Sequence, residues 1–143
     1  MIDQLLTTPL TELIGIKHPV VQTGMGWVAG PSLVSGTANA GGLGILASAT
    51  MTLEELERAI VDVKSRTDKP FGVNLRADAA DAPARCDLLI KHGVKVASFA
   101  LAPKPDLIAK LKEHDIVVIP SVGLPKHAVK VDSWSADAVI IQG

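Results

Sequence analysis

Short apolar runs alternate with segments of helical period along most of this chain. After a lead segment to Lys17, strand-like runs fall at Val20–Gln22, Leu43–Ala47, Phe71–Leu75, Val94–Phe99, Ile116–Ser121 and Ala138–Gln142. Each is apolar at consecutive rather than alternate positions, the pattern of parallel strands covered on both faces. The clearest helix starts at Thr52. Glu55 follows that threonine by three residues, a reciprocal cap, and Leu53, Leu56, Ile60 and Val63 then form one apolar stripe. Further helices are expected over Pro31–Ala40, Ala82–His92, Pro105–His114 and from Pro125 to about Val131. Pro31, Pro105 and Pro125 suit a first helical turn, and Gly41 and Gly93 suit a stop. Arg76–Pro83, rich in Ala and Asp, reads as a surface loop. No Ser/Gly/Pro tract divides the chain, so the reading is one domain of repeated β-α units.

In parallel α/β proteins the functional face is the carboxyl end of the strands. The residues closing the runs are Gln22, Thr23 and Gly24, then Ala47 and Ser48, Asn74, Ser98, Ser121, and Gln142 with Gly143. Nearly all are neutral hydrogen-bonding groups. They can position heteroatoms and a ring, but none is a good general acid or base near neutral pH. No paired carboxylates end neighbouring strands, and no His/Cys/Asp set has metal-ligand spacing. A bound organic cofactor would explain a polar, uncharged face, because the cofactor then carries the difficult chemistry.

Composition narrows the setting. With 143 residues, 48% hydrophobic and 20% charged, the chain can build one sizeable core. Fourteen basic against fifteen acidic residues give a formal charge of −1 with no long block of either sign, which argues against nucleic acid or an anionic membrane as the main partner. The apolar stretches are too short to span a bilayer. One cysteine, no evident signal peptide and no disulfide framework point to a cytoplasmic protein.

Several residues invite a sharper reading and are weighed against a plainer one. His18 precedes the first strand, and His92 and His114 follow helices, so all three belong to the face opposite the strand ends. His127 lies beyond a strand end; it reads as a solvated helix residue beside Lys126 and Lys130 ahead of a ligand contact. Gly41–Gly44 follows a helix and precedes a strand, the reverse of a dinucleotide fingerprint. Its expected job is a helix stop followed by close helix-to-sheet packing. Cys86 reads as a small core residue. Met25, flanked by Gly24 and Gly26, is expected to contact a ligand ring. For Asn74, a neighbouring backbone and a ligand both remain open as partners.

Five segments in order carry a family resemblance: Leu13–Gly26 (LIGIKHPVVQTGMG), Ala38–Gly44 (ANAGGLG), Lys69–Leu75 (KPFGVNL), Val118–Val122 (VIPSV) and Val139–Gly143 (VIIQG). Together they resemble the nitronate monooxygenase family, whose relatives include flavin-dependent enoyl reductases of fatty-acid synthesis. The resemblance implies an α/β fold, a (β/α)8 TIM barrel holding FMN at the strand carboxyl ends. This chain would cover about the first six βα units, so residues 1–143 are expected to form the N-terminal part of a single FMN-binding domain. Carried over, Thr23, Gly24 and Met25 would line the flavin, Asn74 would hydrogen-bond to it, and Gln142 with Gly143 would approach it from the sixth strand. Ser121 is a further expected contact.

The implied activity is oxidation of alkyl nitronates with dioxygen through reduced flavin. The alternative in the same group is reduction of an acyl-thioester double bond with a nicotinamide donor. Many relatives have Ala-Pro-Met where this chain has Thr23-Gly24-Met25, which points away from assuming a simple nitronate substrate. Trp27 follows closely; packing beneath the first helix is expected of it ahead of a role in the pocket. A closed eight-stranded barrel needs roughly 200 residues or more, and the family's proton-abstracting histidine is expected beyond Gly143. The expectation is therefore the front part of an enzyme, inactive as a fragment, with a homo-oligomer among the assemblies open to it. A non-catalytic α/β module docking a partner chain, and a flavin-free barrel enzyme such as a phosphate-sugar isomerase, are the competing readings.

Overall fold

A computed structural model of the chain describes residues 2–142. Six parallel strands run in sequence order: β1 (Val21–Gln22), β2 (Leu43–Ala47), β3 (Phe71–Leu75), β4 (Val96–Phe99), β5 (Val117–Val122) and β6 (Ile140–Ile141). Each pairs with the next. Helices α1 (Ile2–Leu5) and α2 (Pro9–Ile14) precede β1. The helices between strands are α3 (Pro31–Asn39), α4 (Leu53–Arg66), α5 (Ala82–His92), α6 (Pro105–Lys112) and α7 (Pro125–Ser133). The strand order and the alternation are those of six consecutive units of a (β/α)8 barrel.

Two cores flank the sheet. On one face Leu43, Ile45, Val96, Val117 and Ile119 pack together, joined by Val21, Ile140 and, from α2, Ile14. Leu43, Val96 and Val117 are the first or near-first residues of their strands, so α2 closes the amino end of this barrel interior. On the other face Leu46, Val73, Leu75 and Phe99 meet Leu56, Ile60, Leu89 and Ile108 from the helices. All five residues of β2 are buried, which is why these strands show no alternation.

Local chemistry sets the helix ends where the sequence places them. The Thr52 hydroxyl accepts from Glu55 N at 3.2 Å while the Glu55 carboxylate accepts from Thr52 N at 2.8 Å. Gly41, at φ +95°, ends the turn after α3. The short α2 is absent from the sequence reading. A repeat of Thr8 and Thr11 hydroxyl caps starts it, and six residues hold too few turns for an apolar period to show. The loop and helix readings overlap at Ala82 and Pro83, and there the helix holds: α5 runs over Ala82–His92 as expected, with Pro83 in the first turn, where its missing N–H has no role.

A buried arginine braces the strand-end loops. Arg85, 8% exposed, donates to the carbonyls of Ser48 and Met51 at 2.8 and 2.7 Å and to the Asp81 carboxylate at 2.8 Å. It thus ties α5 to the loop between β2 and α4. Arg85→Leu leaves two carbonyls and a carboxylate without this donor, so a loss of roughly 3 kcal/mol is expected. Urea denaturation checks it; a loss under about 1 kcal/mol, the value of an exposed pair, would contradict the brace.

Cys86 is fully buried on α5, and burial pushes its thiol up to about 12. It is therefore protonated and unreactive at neutral pH. A thiol reagent is expected to leave the folded protein unlabelled and to label Cys86 once urea unfolds it; rapid labelling of the folded protein would contradict the burial. Because the fold favours the protonated thiol, this contribution to stability is complete below the usual value of 9.0 and is lost as pH climbs toward about 12.

Candidate functional site

Along each strand, side chains alternate between the two faces, so a residue two positions beyond an interior aliphatic group lies on the same face. Val21, Ile45, Val96, Ile119 and Ile140 belong to the interior core. Two positions on stand Thr23, Ala47, Ser98, Ser121 and Gln142. Asn74 joins this layer because β3 pairs it with Ala47 on one side and Ser98 on the other. The barrel interior is thus aliphatic at its amino end and closes, at the carboxyl end, in a layer of uncharged polar groups.

The Asn74 carboxamide is fixed by its neighbours. Its Nδ2 donates to the Ser98 hydroxyl at 2.9 Å, and its backbone carbonyl accepts from the Ser48 hydroxyl at 2.6 Å. Ser48 and Ser98 are each 1% exposed. Gly24 comes down directly on this group: a Cβ built at Gly24 would lie 2.6 Å from Asn74 Cβ and 3.3 Å from its Cγ. No side chain fits there, so the backbone after β1 approaches β3 closely.

At the end of β1, Gln22 Nε2 donates to the Ile45 carbonyl at 3.1 Å and to the Thr23 carbonyl. The Gln22 Oε1 is buried, with no partner among the described residues. A buried acceptor left unpaired is uncommon.

The expected site residues fall into two groups on the same end of the sheet. Thr23, Gly24, Met25 and Asn74 gather over β1 and β3. Ser121 and Gln142 line a cavity of about 520 Å³ over β5 and β6, with His127, Leu101 and Trp134 in its wall. Ser98 on β4 lies between the two. Gly143 lies outside the described residues. His127 is exposed on α7 and faces this cavity, and Lys130 Nζ stands 5.0 Å from the Trp134 ring centroid.

The other histidines are occupied away from this layer. His92 contacts Glu57 at 2.8 Å, His114 contacts the Lys110 carbonyl at 3.0 Å, and His18 lies against Gly41. Hydrogen bonds from Lys91 and His92 lower the Glu57 carboxyl below its usual range. Among the described residues, no three His, Cys, Asp or Glu side chains are grouped to hold a metal ion.

Trp27 overturns one expectation. It packs beneath no helix, being 92% exposed, and its φ of 58° lies in the left-handed region. The turn around it is closed by Val28 N and Ala29 N, which donate to the Met25 carbonyl at 3.1 and 2.8 Å. Sequence reasoning treated a large aromatic residue as core; a turn that directs it outward leaves no trace in apolar periodicity. Arg85 and the unpaired Gln22 oxygen were likewise missed, since both depend on contacts between distant segments.

These features define six consecutive units of a parallel α/β barrel, with a layer of polar groups at the strand carboxyl ends. The family model for nitronate monooxygenase matches residues 7–143, and the chain belongs to that family. It is 74% identical over 138 residues to the "(3aS,4S,5R,7aS)-5-hydroxy-7a-methyl-1-oxo-octahydro-1H-indene-4-carboxyl-CoA dehydrogenase" of Rhodococcus jostii, covering 96% of this chain and 39% of that protein. It is 30% identical over 174 residues to a "Probable nitronate monooxygenase" of Staphylococcus saprophyticus, covering 96% of this chain and 49% of the relative. The chain therefore spans less than half the length of these relatives.

Among solved structures, FabK from Thermotoga maritima superposes with a TM-score of 0.92 at 37% identity, over 96% of this chain and 44% of that one. A nitroalkane oxidase from Streptomyces ansochromogenes gives a TM-score of 0.84 at 28% identity, over 95% and 48%. Among the described residues, no helix is long and apolar enough to cross a membrane.

Proposed function

We propose that these residues are the N-terminal part of a single FMN-binding barrel domain, in an oxidoreductase whose substrate is an acyl-CoA thioester. The substrate reading is carried by the 74% identity, across 96% of this chain, to a protein named as a CoA-thioester dehydrogenase. The cofactor reading rests on the family resemblance and on the strand-end layer. Gly24 lets the backbone after β1 close down on Asn74, which gathers the polar groups of this layer at one end of the sheet.

FMN, when bound, supplies two-electron transfer with carbon. The residues of this chain bind and orient. Asn74, held by Ser98 and Ser48, presents a carboxamide of fixed direction. Met25, 42% exposed, offers a polarizable thioether to the ring. Thr23, Ser121 and Gln142 add neutral hydrogen-bonding groups, and none of them takes a proton near neutral pH.

Nitronate oxidation is the second reading, favoured by the Staphylococcus relative and by the nitroalkane oxidase fold match. The cofactor claim is tested by purifying the protein without added flavin and chromatographing the heat-released chromophore. FMN in near-equal molar ratio to protein is the expected result. A colourless protein that binds no added FMN would contradict it and favour a docking module.

A further inference from the structure

We propose that Arg85 of α5 is a positioning residue for the flavin: it fixes the turn after β2, and through Ser48 that turn fixes Asn74. This rests on the FMN reading above. The contacts involved join β2, β3, β4 and α5, in the middle of the sheet and away from the β1 and β6 edges.

Ser48–Met51 is a turn closed by Met51 N, which donates to the Ser48 carbonyl at 3.0 Å. The Arg85 guanidinium spans both ends of it. Nη1 donates to the Ser48 carbonyl at 2.8 Å and Nη2 to the Met51 carbonyl at 2.7 Å, while Nε donates to the Asp81 carboxylate at 2.8 Å, at the start of α5. The turn is already closed by its own backbone, so what the guanidinium adds is orientation against α5. A planar fork with donors at fixed angles sets the direction of two carbonyls at once; a lysine ammonium, a point charge on a flexible stem, does not.

Ser48 carries that orientation to the strand-end layer. Its hydroxyl donates to the Asn74 carbonyl at 2.6 Å, and the Asn74 carboxamide donates to the Ser98 hydroxyl at 2.9 Å. Arg85 is 8% exposed and Ser48 and Ser98 are 1% exposed, so the contacts run through the protein interior. A group that binds a ligand has to be held to within about 0.5 Å, and buried hydrogen bonds behind it supply that precision.

The test measures flavin affinity in Arg85→Leu, Arg85→Lys, Ser48→Ala and the double variant Arg85→Lys/Ser48→Ala, with Leu111→Ala as control. Leu111 is fully buried near the end of α6, where its carbonyl accepts from Ile116 N just ahead of β5. That is the opposite end of the sheet from Asn74, so this variant lowers stability without reaching the layer. Lysine keeps the charge, so the lysine variant decides even where the leucine variant does not fold.

The flavin dissociation constant is expected to rise roughly tenfold or more in Arg85→Leu and about threefold or more in Arg85→Lys, with a shifted visible absorption band of the bound flavin in both. Ser48→Ala should weaken binding about threefold or more, and adding Arg85→Lys to it should change affinity by about twofold or less, because both act through one contact. Leu111→Ala should keep affinity within about twofold and leave the band in place. Wild-type affinity and spectrum in Arg85→Lys, losses that multiply in the double variant, or an equal loss in Leu111→Ala would overturn the role of Arg85. Wild-type protein that binds no FMN would overturn the cofactor reading itself, and this role with it.

Discussion

Gly44→Ala is expected to destabilise the protein by about 3 kcal/mol or more, seen as a fall in the urea midpoint with little change in slope. A Cβ at this position would lie 2.4 Å from the Val34 carbonyl oxygen, 2.8 Å from Val34 Cα and 2.9 Å from its carbonyl carbon. Those are backbone atoms of α3, so no rotamer change relieves the overlap; the helix must move away from β2. Moving it opens the core that Val34 and Leu46 share with α4. Interiors packed at crystal density do not absorb such a shift cheaply. Gly36→Ala, in the same helix, is the control. A Cβ there meets nothing within 4 Å, and alanine is the better helix former, so a gain of roughly 0.5–1 kcal/mol is expected. Similar losses in both variants would mean that α3 does not lie on the sheet as described.

Gly24→Ala is expected to strip the flavin while leaving the fold. The added methyl would meet Asn74 Cβ at 2.6 Å, and that atom is fixed by its place in β3, between β2 and β4. The loop after β1 is the softer partner and must lift. Lifting it carries Met25 away from the layer and disturbs the carboxamide that Ser98 orients. Flavin affinity should fall roughly tenfold or more, since a misplacement worth 1.4 kcal/mol already costs that factor. The far-ultraviolet circular dichroism should be unchanged. Full flavin content in this variant would falsify the placement of the ring against Gly24.

Much of the scaffold is legible in the chain because parallel strands are buried on both faces. Leu43–Ala47 and Phe71–Leu75 match their strands residue for residue. The Thr52–Glu55 cap and the Gly41–Gly44 stop are local in sequence, and both behave as read. Strand ends are less legible. Lys95 and Val94 precede β4, and β6 keeps only Ile140–Ile141, because ladder pairing with a neighbour, rather than apolarity, ends a strand.

The polar layer was readable as a set of strand-end residues, but not as geometry. That Asn74 bonds Ser98, 24 residues on, or that Gly24 presses on Asn74, 50 residues on, follows from how distant segments come together, which no local pattern encodes. Trp27 marks the opposite case. Its type suggested core, and only the backbone turn decides that it stands in water.

The central claim is that this strand-end layer serves flavin chemistry on an acyl thioester. Anaerobic titration of the flavin-loaded protein tests it most directly, with a hydrindane-carboxyl-CoA thioester and an alkyl nitronate added in separate cuvettes. Bleaching of the oxidised flavin band by the thioester at near-equal stoichiometry, with slow or no bleaching by the nitronate, is the predicted result. Rapid bleaching by the nitronate and none by the thioester would contradict it.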